Sequence, residues 1–276
     1  MNSSKDAPLS GTAVPNEFSF FSGEGTRTEV VDAIFPILKG NSTDDMTVVG
    51  TGFYIMNNGV FITARHCFSG KDDEIDSGGS FFLHHTLPGN IYIWRPILRS
   101  WNSDVGDVSV GIAAPMTNDN DGTPLINSVM TLTTERPPIA TRIVTYAYAG
   151  SSISRSGKKT EIRFRPGFFS GKIIDYHPRA RDRSKITWPV FETDMHLHGG
   201  SSGGPVVTDR DGTVFAINTS SMDGAPDISY VTPLDLVLDG EVTGLALYKK
   251  APQDYSIREL GKMGIITFKP PFPVRD

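Results

Sequence analysis

The chain has 276 residues, 38% hydrophobic and 21% charged, which is long enough for one or two domains with sizeable cores. Its formal net charge of −5 argues against a general nucleic-acid binder, and no apolar run reaches the ~18 residues of a membrane-spanning helix. The single cysteine, Cys67, excludes an internal disulfide and a cysteine-based zinc cluster.

Residues 1–28 are mostly polar and rich in Ser, Gly and Pro, which predicts a loosely ordered N-terminal arm. The start of the chain lacks the apolar segment of a secretory signal. Together with the single cysteine, this favours a cytoplasmic protein.

From residue 29 onward, short runs of β-branched and aromatic residues alternate with turns. The turn Asn57-Asn58-Gly59 separates two such runs, 48–55 and 60–63, and predicts a β-hairpin. The polar stretch 115–138 is typical of a linker between two halves. Many short strands and few helical stretches predict an all-β barrel or sandwich. Further strand candidates are 80–84, 91–98, 108–112, 139–148, 159–164, 171–175, 188–192, 205–208, 214–218 and 228–231.

The C-terminal window 254–263 places Ile257, Leu260 and Met263 three residues apart, as one face of a short amphipathic helix would. Gly261 inside the window weakens this helix prediction.

A loop of four glycines and two serines, Gly199-Gly200-Ser201-Ser202-Gly203-Gly204, directly precedes the strand candidate 205–208. Glycine adopts backbone angles that other residues avoid, so this segment is tightly turned. Such a bend lifts one hydroxyl and aims backbone N–H groups at one point, as nucleophilic acyl transfer requires. A flexible Gly/Ser turn without chemistry is the alternative.

Two other polar residues lie at ends of predicted strands. His66 follows the run 60–63, where a scaffold can hold an imidazole firmly, although most histidines have no catalytic role. Asp107 precedes the alternating strand 108–112, where a carboxylate can be partly buried and still meet an imidazole N–H. Asp104 competes with Asp107 for this role but fits an ordinary turn aspartate better.

Three motifs together resemble the serine proteases of the trypsin/chymotrypsin fold. They are Thr63-Ala64-Arg65-His66-Cys67, Asp107-Val108-Ser109-Val110 and Gly200-Ser201-Ser202-Gly203-Gly204-Pro205. Further segments at 50–55, 216–220 and 230–235 are similar to strands of bacterial, high-temperature-requirement-type members. The residues after 240 are too few for the PDZ domain that such members carry.

The resemblance implies a fold of two six-stranded antiparallel Greek-key β-barrels with the active site between them. The apolar spacing in 254–263 adds a short C-terminal helix to this expectation. The first barrel is expected in 29–136 and the second in 137–240, followed by a C-terminal extension in 241–276. The implied activity is that of a serine endopeptidase acting on protein or peptide substrates. No cofactor is implied, and the sequence leaves the oligomeric state open.

The resemblance also assigns roles to individual residues. His66 would act as general base, Asp107 would orient it and Ser202 would attack, which agrees with the weakness of an unassisted serine nucleophile. The backbone N–H groups of Gly200 and Ser202 would form the oxyanion hole. The α/β-hydrolase alternative fails, because there the histidine follows the serine, whereas all six histidines precede Ser202.

By the same resemblance, His196 would lie at the base of the primary specificity pocket and Thr219, Ser220 and Ser221 would form its wall. The absence of an aspartate at position 196 argues against cleavage after Arg or Lys. A small or medium apolar residue is favoured, and an acidic residue is the alternative if His196 is protonated.

Two residues depart from the digestive members of that family. Ser201 stands where zymogen-activated proteases have the Asp that pairs with a new N-terminus, so no such activation switch is expected. Cys67 has no second cysteine to pair with and is expected to be a small buried thiol.

Three features of the sequence bear on functions other than that of a protease. A protease-like binding or scaffolding domain would have its cleft blocked by the arm at 1–28 or the tail at 240–276, so truncation near 240 would raise activity. Zinc at His84-His85 or His196-Leu197-His198 is disfavoured, because no carboxylate has suitable spacing. Nucleic-acid contact by the basic run 179–185 is disfavoured against a solvated loop, because Asp182 interrupts it.

Overall fold

A computed structural model of the chain describes most residues from Phe20 to Pro270. The described ranges are 20–21, 27–28, 30–41, 45–68, 81–87, 91–117, 122–124, 126–157, 159–210, 212–222, 225–247 and 251–270. Within the predicted N-terminal arm, strands β1 (Phe20–Phe21) and β2 (Arg27–Thr28) pair antiparallel, and helix α1 (Val30–Ala33) follows. The other residues of that arm lie outside the described ones.

Short apolar strands of the first half close into a six-stranded antiparallel barrel in the spatial order β3-β4-β5-β8-β7-β6. The predicted hairpin is confirmed: β4 and β5 pair across a turn in which Gly59 has φ +104°, a conformation that glycine adopts without steric cost. The strands are β3 (Ile34–Lys39), β4 (Thr47–Tyr54), β5 (Val60–Thr63), β6 (Phe81–Leu87), β7 (Ile91–Asn102) and β8 (Ser109–Ala113).

The second half forms another closed antiparallel barrel in the order β12-β13-β16-β15-β14-β9. A hairpin of β10 (Ser152–Ser156) and β11 (Lys159–Arg163) extends from it. The barrel strands are β9 (Arg142–Ala147), β12 (Gly167–His177), β13 (Val190–Thr193), β14 (Pro205–Thr208), β15 (Val214–Met222) and β16 (Ala225–Pro233). The two six-stranded barrels confirm the predicted fold class.

Alternation along the strands sends neighbouring side chains to two different cores. In β4, Tyr54 packs inside the first barrel, whereas Phe53 packs in a large core shared by both barrels. In β5, Phe61 and Ile62 divide between the same two cores. The shared core therefore fixes how the barrels face each other, and with them the residues at their common cleft.

The linker between the barrels is fastened to both of them. The N–H of Met130 donates to the carbonyl of Tyr54 in the first barrel at 2.9 Å, and that of Thr133 donates to Val214 in the second at 2.8 Å. In the described part of the predicted linker, 115–138, β-pairing consists of isolated bridges at Thr117, Pro124, Met130 and Leu132.

After the second barrel, the chain forms strands β17 (Glu241–Leu245) and β18 (Gln253–Ser256) and the predicted C-terminal helix, α2 (Ile257–Lys262). A capping box starts the helix: the Ser256 hydroxyl accepts the N–H of Glu259, whose carboxylate accepts the N–H of Ser256. None of the helices in the described part of the chain is long and apolar enough to cross a membrane.

The C-terminal segment belongs to the shared core. Its side chains buried there are Val242, Leu245, Tyr255, Ile257, Leu260, Ile266 and Phe268. The segment also bonds Leu132 in the linker. The N–H of Leu132 donates to the carbonyl of Thr267 at 2.9 Å, and the N–H of Lys269 donates to the carbonyl of Leu132 at 2.8 Å.

A chain ending at residue 240 is therefore expected to lose most of its stability rather than gain activity. Each fully buried Leu or Ile contributes ~1.5–3 kcal/mol, and a whole domain is stable by only ~5–15 kcal/mol. Thermal unfolding of the chains 1–240 and 1–270 measures the difference. An equal Tm for the two would contradict this role of the C-terminal segment.

Candidate active site

A cleft of about 1060 Å³ receives its lining from both barrels. It brings together five of the residues that the sequence predicted for the active site: His66, Asp107, Ser202, Thr219 and Ser220. The rest of the lining comprises Arg65, Asp104, Val105, Gly106, Arg179, Lys185, Ile186, Thr187, Trp188, Pro189, His198, Gly199 and Ser201. Residues 241–247 and 251–270 are not part of this lining, so the described part of the C-terminal segment does not block the cleft.

The pairing of β5 with β8 brings His66 and Asp107 together. Thr63 at the end of β5 lies opposite Ser109 at the start of β8, and the 3₁₀ turn Arg65–Cys67 follows β5 directly. Asp107 Oδ2 lies 2.8 Å from His66 Nδ1, and Oδ1 accepts the backbone N–H of His66 at 3.0 Å. The two carboxylate oxygens thus hold both the backbone and the ring of His66.

Burial differs sharply between the two partners. The Asp107 side chain is 6% exposed, whereas that of His66 is 48% exposed. Asp104, the competing candidate, is exposed on the cleft wall and makes no hydrogen bond or ion pair with His66 among the described residues. The carboxylate beside the imidazole is therefore that of Asp107.

The environment of His66 acts on its pKa in two opposing directions. Burial lowers the pKa, whereas the hydrogen bond and the negative charge of Asp107 raise it, and the net effect is a raised pKa. Because the protonated ring is favoured in the folded state, this pair stabilises the fold fully below the unfolded pKa, and the contribution is lost as pH rises through the folded pKa.

The pH titration of His66 is expected to have its midpoint above the ordinary value of about 6.5. Without the Asp107 carboxylate only the effect of burial remains, so Asp107→Asn is expected to bring the midpoint below that value. NMR titration of the labelled histidine measures both, in a Ser202→Ala background that prevents self-cleavage. A midpoint unmoved by Asp107→Asn would contradict the assignment.

The glycine-rich loop before β14 depends on two left-handed glycines, Gly200 at φ +92° and Gly203 at φ +84°. A Cβ on Gly203 would lie 2.2 Å from the hydroxyl of Thr63 and 2.3 Å from the carbonyl oxygen of Thr51. Only glycine allows the loop to approach the first barrel this closely. The sequence prediction of a tight turn is confirmed.

Backbone hydrogen bonds of the loop leave two N–H groups unused. The N–H groups of Ser201, Gly203 and Gly204 donate to carbonyls at 2.7–3.1 Å. Within the described part of the chain, those of Gly200 and Ser202 have no acceptor. Two free donors separated by one residue can stabilise a developing oxyanion.

Thr51 of the first barrel holds this loop by two hydrogen bonds and makes a third to Tyr148. Its N–H donates to the carbonyl of Ser202 at 2.8 Å, and its hydroxyl donates to the carbonyl of Gly200 at 2.8 Å and accepts the N–H of Tyr148 at 3.1 Å. The Ser201 hydroxyl adds a bond to the carbonyl of His198 at 2.6 Å. Sequence reasoning gave Thr51 no role; its signal is the motif Gly50-Thr51-Gly52.

Replacing Thr51 by valine is expected to lower kcat about tenfold, because the isosteric side chain removes the hydrogen bonds to the Gly200 carbonyl and the Tyr148 N–H. Thr51→Ser keeps the hydroxyl and should stay within about twofold of the wild type. Steady-state kinetics on one peptide tests this, and equal kcat values for both variants would show that the hydroxyl does not orient the loop.

Ser202 is half-buried, and its hydroxyl donates to the carbonyl of Thr219 at 3.3 Å. Among the described residues, no hydrogen bond joins Ser202 Oγ to the His66 ring, although both line the same cleft. Asp107 engages Nδ1 of His66, which leaves Nε2 for proton transfer. Hydrogen bonds of this kind commonly tighten only when substrate binds.

Only some of the residues predicted to determine specificity line the cleft. Thr219 and Ser220 line the cleft, and the Thr219 hydroxyl bonds that of Thr232 at 2.6 Å. His196 is exposed and is not part of the lining; its ring meets that of His198 edge-on, with centroids 4.4 Å apart. Ser221 lies on β15, and its side chain is outside the described ones. The specificity role of His196 stays a prediction.

His198, which the sequence did not single out as a cleft residue, lines the cleft beside Ser201 and Ser202. Burial and the neighbouring His196 lower the pKa of His198. Its position four residues before Ser202 gave no separate signal in the sequence.

The described residues contain no group of three or more metal-ligating side chains that could hold a metal ion.

Cys67 is 3% exposed and forms no disulfide, which confirms the predicted buried thiol. Burial, with the negative charge of Asp107, raises the pKa of this thiol to about 12. The thiol is therefore neutral at neutral pH and unsuited to act as a nucleophile. Its Sγ lies 3.8 Å from the carbonyl oxygen of Ser202, so it packs beneath the serine loop.

Three solved structures share this architecture. The chain superposes on Deg5 with TM-score 0.52 and 14% identity, covering 75% of this chain and 86% of that one. The MamO protease domain from Magnetospirillum magneticum gives TM-score 0.52 and 13% identity, covering 75% and 95%. The HtrA-type protease AlgW, solved with a decapeptide, gives TM-score 0.50 and 14% identity, covering 75% and 62%. At such identities these likenesses show the fold.

The family is shown by the sequence itself. No curated protein matches the chain. Residues 50–217, more than half of the chain and including His66, Asp107 and Ser202, match the family model of the trypsin-like peptidase domain. The chain therefore belongs to the trypsin-like peptidase family and is a serine endopeptidase.

Proposed function

We propose that the protein hydrolyses peptide bonds of protein or peptide substrates through an acyl-enzyme on Ser202. The observation that carries the proposal is the pair of hydrogen bonds that the buried carboxylate of Asp107 accepts from the backbone and ring of His66. This contact sets the tautomer in which Nδ1 bears the proton and Nε2 is free to accept another.

The chemistry proceeds in two halves. Ser202 Oγ attacks the substrate carbonyl carbon while its proton passes to Nε2 of His66, and the negative oxygen binds the N–H groups of Gly200 and Ser202. The imidazolium, stabilised by Asp107, then donates its proton to the departing amine. A water molecule hydrolyses the acyl-enzyme by the same steps, with His66 again as base.

The proposal requires the Ser202 hydroxyl to leave the Thr219 carbonyl and turn towards His66. The 3.3 Å contact is long for a hydroxyl donor, so it offers little resistance to this rotation. Substrate in the cleft would place its carbonyl between the serine and the two free N–H groups.

Digestion of unfolded casein by the wild type and by Ser202→Ala tests the proposal. New amino termini should appear with the wild type and fall to background with the variant, and a metal chelator should change nothing. Thr232→Ser, which keeps the hydroxyl that contacts Thr219, serves as a control for local disturbance. Cleavage by Ser202→Ala at the wild-type rate, or no cleavage by the wild type, would overturn the proposal; the second result would favour a binding or scaffolding domain.

A further inference from the structure

The loop between β12 and β13 contributes basic side chains to the second-barrel wall of the cleft. Arg179 and Lys185 both line the cleft and are exposed. Arg183 belongs to the same loop and is also exposed, but does not line the cleft. The loop therefore directs two of its cations to the place where substrate binds.

Asp182 gives this loop a defined shape. Its Oδ1 accepts the backbone N–H groups of Ser184, Lys185 and Ile186 at 2.9, 2.6 and 3.3 Å. The N–H groups of Arg181 and Asp182 both donate to the carbonyl of Ile186, at 3.0 and 3.1 Å. The acidic residue that interrupts the basic run is thus the structural centre of the loop and holds Lys185 in place.

The cationic side chains of the loop differ in whether they already form ion pairs within the protein. Arg181 pairs with Asp182 at 3.6 Å and donates to the hydroxyl of Tyr230 at 3.0 Å. Among the described residues, neither Arg179 nor Lys185 forms an ion pair. Two unpaired positive charges therefore face the cleft from the second barrel.

The other charged groups of the cleft do not cancel these two. Asp107 is buried and committed to His66. Arg65 adds a further cation and donates to the carbonyl of Ser103 at 2.9 Å, and Asp104 is the one remaining carboxylate of the described lining. The cleft thus carries a cationic excess, although the whole chain has a net charge of −5.

We propose that the cleft selects peptide substrates with an acidic side chain close to the scissile bond, whose carboxylate Arg179 and Lys185 bind. This inference rests on the proposed peptidase function and adds a substrate class to it. Solvent-exposed pairs are individually weak, so the two cations together should favour a Glu peptide over its Gln counterpart about three- to tenfold in kcat/KM. Salt should reduce this ratio, because the pairs are open to solvent.

The test uses quenched fluorescent peptides that differ only in Glu, Gln or Lys at each of the four positions before the cleaved bond. The enzymes are the wild type, the double variant Arg179→Glu/Lys185→Glu and the control Arg183→Glu, which changes charge on the same loop outside the cleft. The proposal expects a Glu preference at one position or more, its reversal towards Lys in the double variant, and no change in the control.

Each other outcome has a distinct meaning. Equal rates for Glu, Gln and Lys peptides, or the same ratio in all three enzymes, would overturn the substrate preference and leave the peptidase function standing. Failure to cleave any peptide would overturn the proposed function, and the preference with it. Binding of a single-stranded oligonucleotide that the double variant loses, without any peptide charge preference, would assign the loop to nucleic acid and overturn the proposal.

Discussion

Asparagine in place of Asp107 is expected to lower kcat/KM by about 10⁴-fold with little change in fold. The amide keeps the size of the carboxylate, but its NH₂ group facing Nδ1 of His66 favours the wrong tautomer. The proton would then lie on Nε2, where the ring can no longer accept the proton of Ser202. The imidazolium would also lose the negative charge that stabilises it.

Asp104→Asn is the matched control for this variant. It removes the same charge three residues away, from an exposed residue in the same cleft that forms no hydrogen bond or ion pair with His66 among the described residues. On an uncharged peptide its kcat/KM should stay within about threefold of the wild type. A larger loss in Asp104→Asn than in Asp107→Asn would reverse the assignment.

Alanine in place of Gly200 is expected to lower kcat about 100- to 1000-fold, the cost of losing one oxyanion donor. Gly200 has φ +92°, and an added Cβ would lie 2.7 Å from the carbonyl oxygen of Tyr148. The loop must shift to relieve both the strain and the clash, which moves the free N–H of Gly200 away from its position beside Ser202. Ground-state binding involves this N–H less, so KM should change little.

Gly199→Ala is the control on the neighbouring position. An alanine Cβ there meets no described atom within 4 Å, and Gly199 does not have a left-handed φ. Its kcat should remain within about threefold of the wild type. Similar losses of kcat in the two variants would show that alanine disturbs the loop for reasons unrelated to the orientation of the Gly200 N–H.

The sequence predicted the fold and the local elements of the site where short-range patterns determine them. The Asn-Gly turn placed the β4–β5 hairpin, and the alternation after Asp107 placed β8. The order of His66, Asp107 and Ser202 along the chain excluded the α/β-hydrolase alternative. The turn, the alternation and each motif depend on residues within a few positions of one another, and the order of the motifs is read directly along the chain.

Features that depend on contacts between distant segments could not be predicted in this way. Thr51 bonds the carbonyl of Gly200, 149 positions away. The motif Gly50-Thr51-Gly52 marks Thr51, but it does not show which distant segment the hydroxyl contacts. Arg179 and Lys185 looked like part of a solvated basic loop, because their side of the cleft is set by the barrel topology. Under the alternative of a scaffolding domain, the C-terminal segment would cover the cleft, whereas its described part fills the core shared by the barrels.

The most direct test of the central claim is to locate the serine that a fluorophosphonate modifies. The claim is that His66, oriented by Asp107, activates Ser202 and not the adjacent Ser201, whose hydroxyl is engaged with the carbonyl of His198. Peptide mass spectrometry after labelling should place the adduct on Ser202, and Ser202→Ala should remain unlabelled. An adduct on Ser201, or no adduct on the folded wild-type protein, would contradict the account.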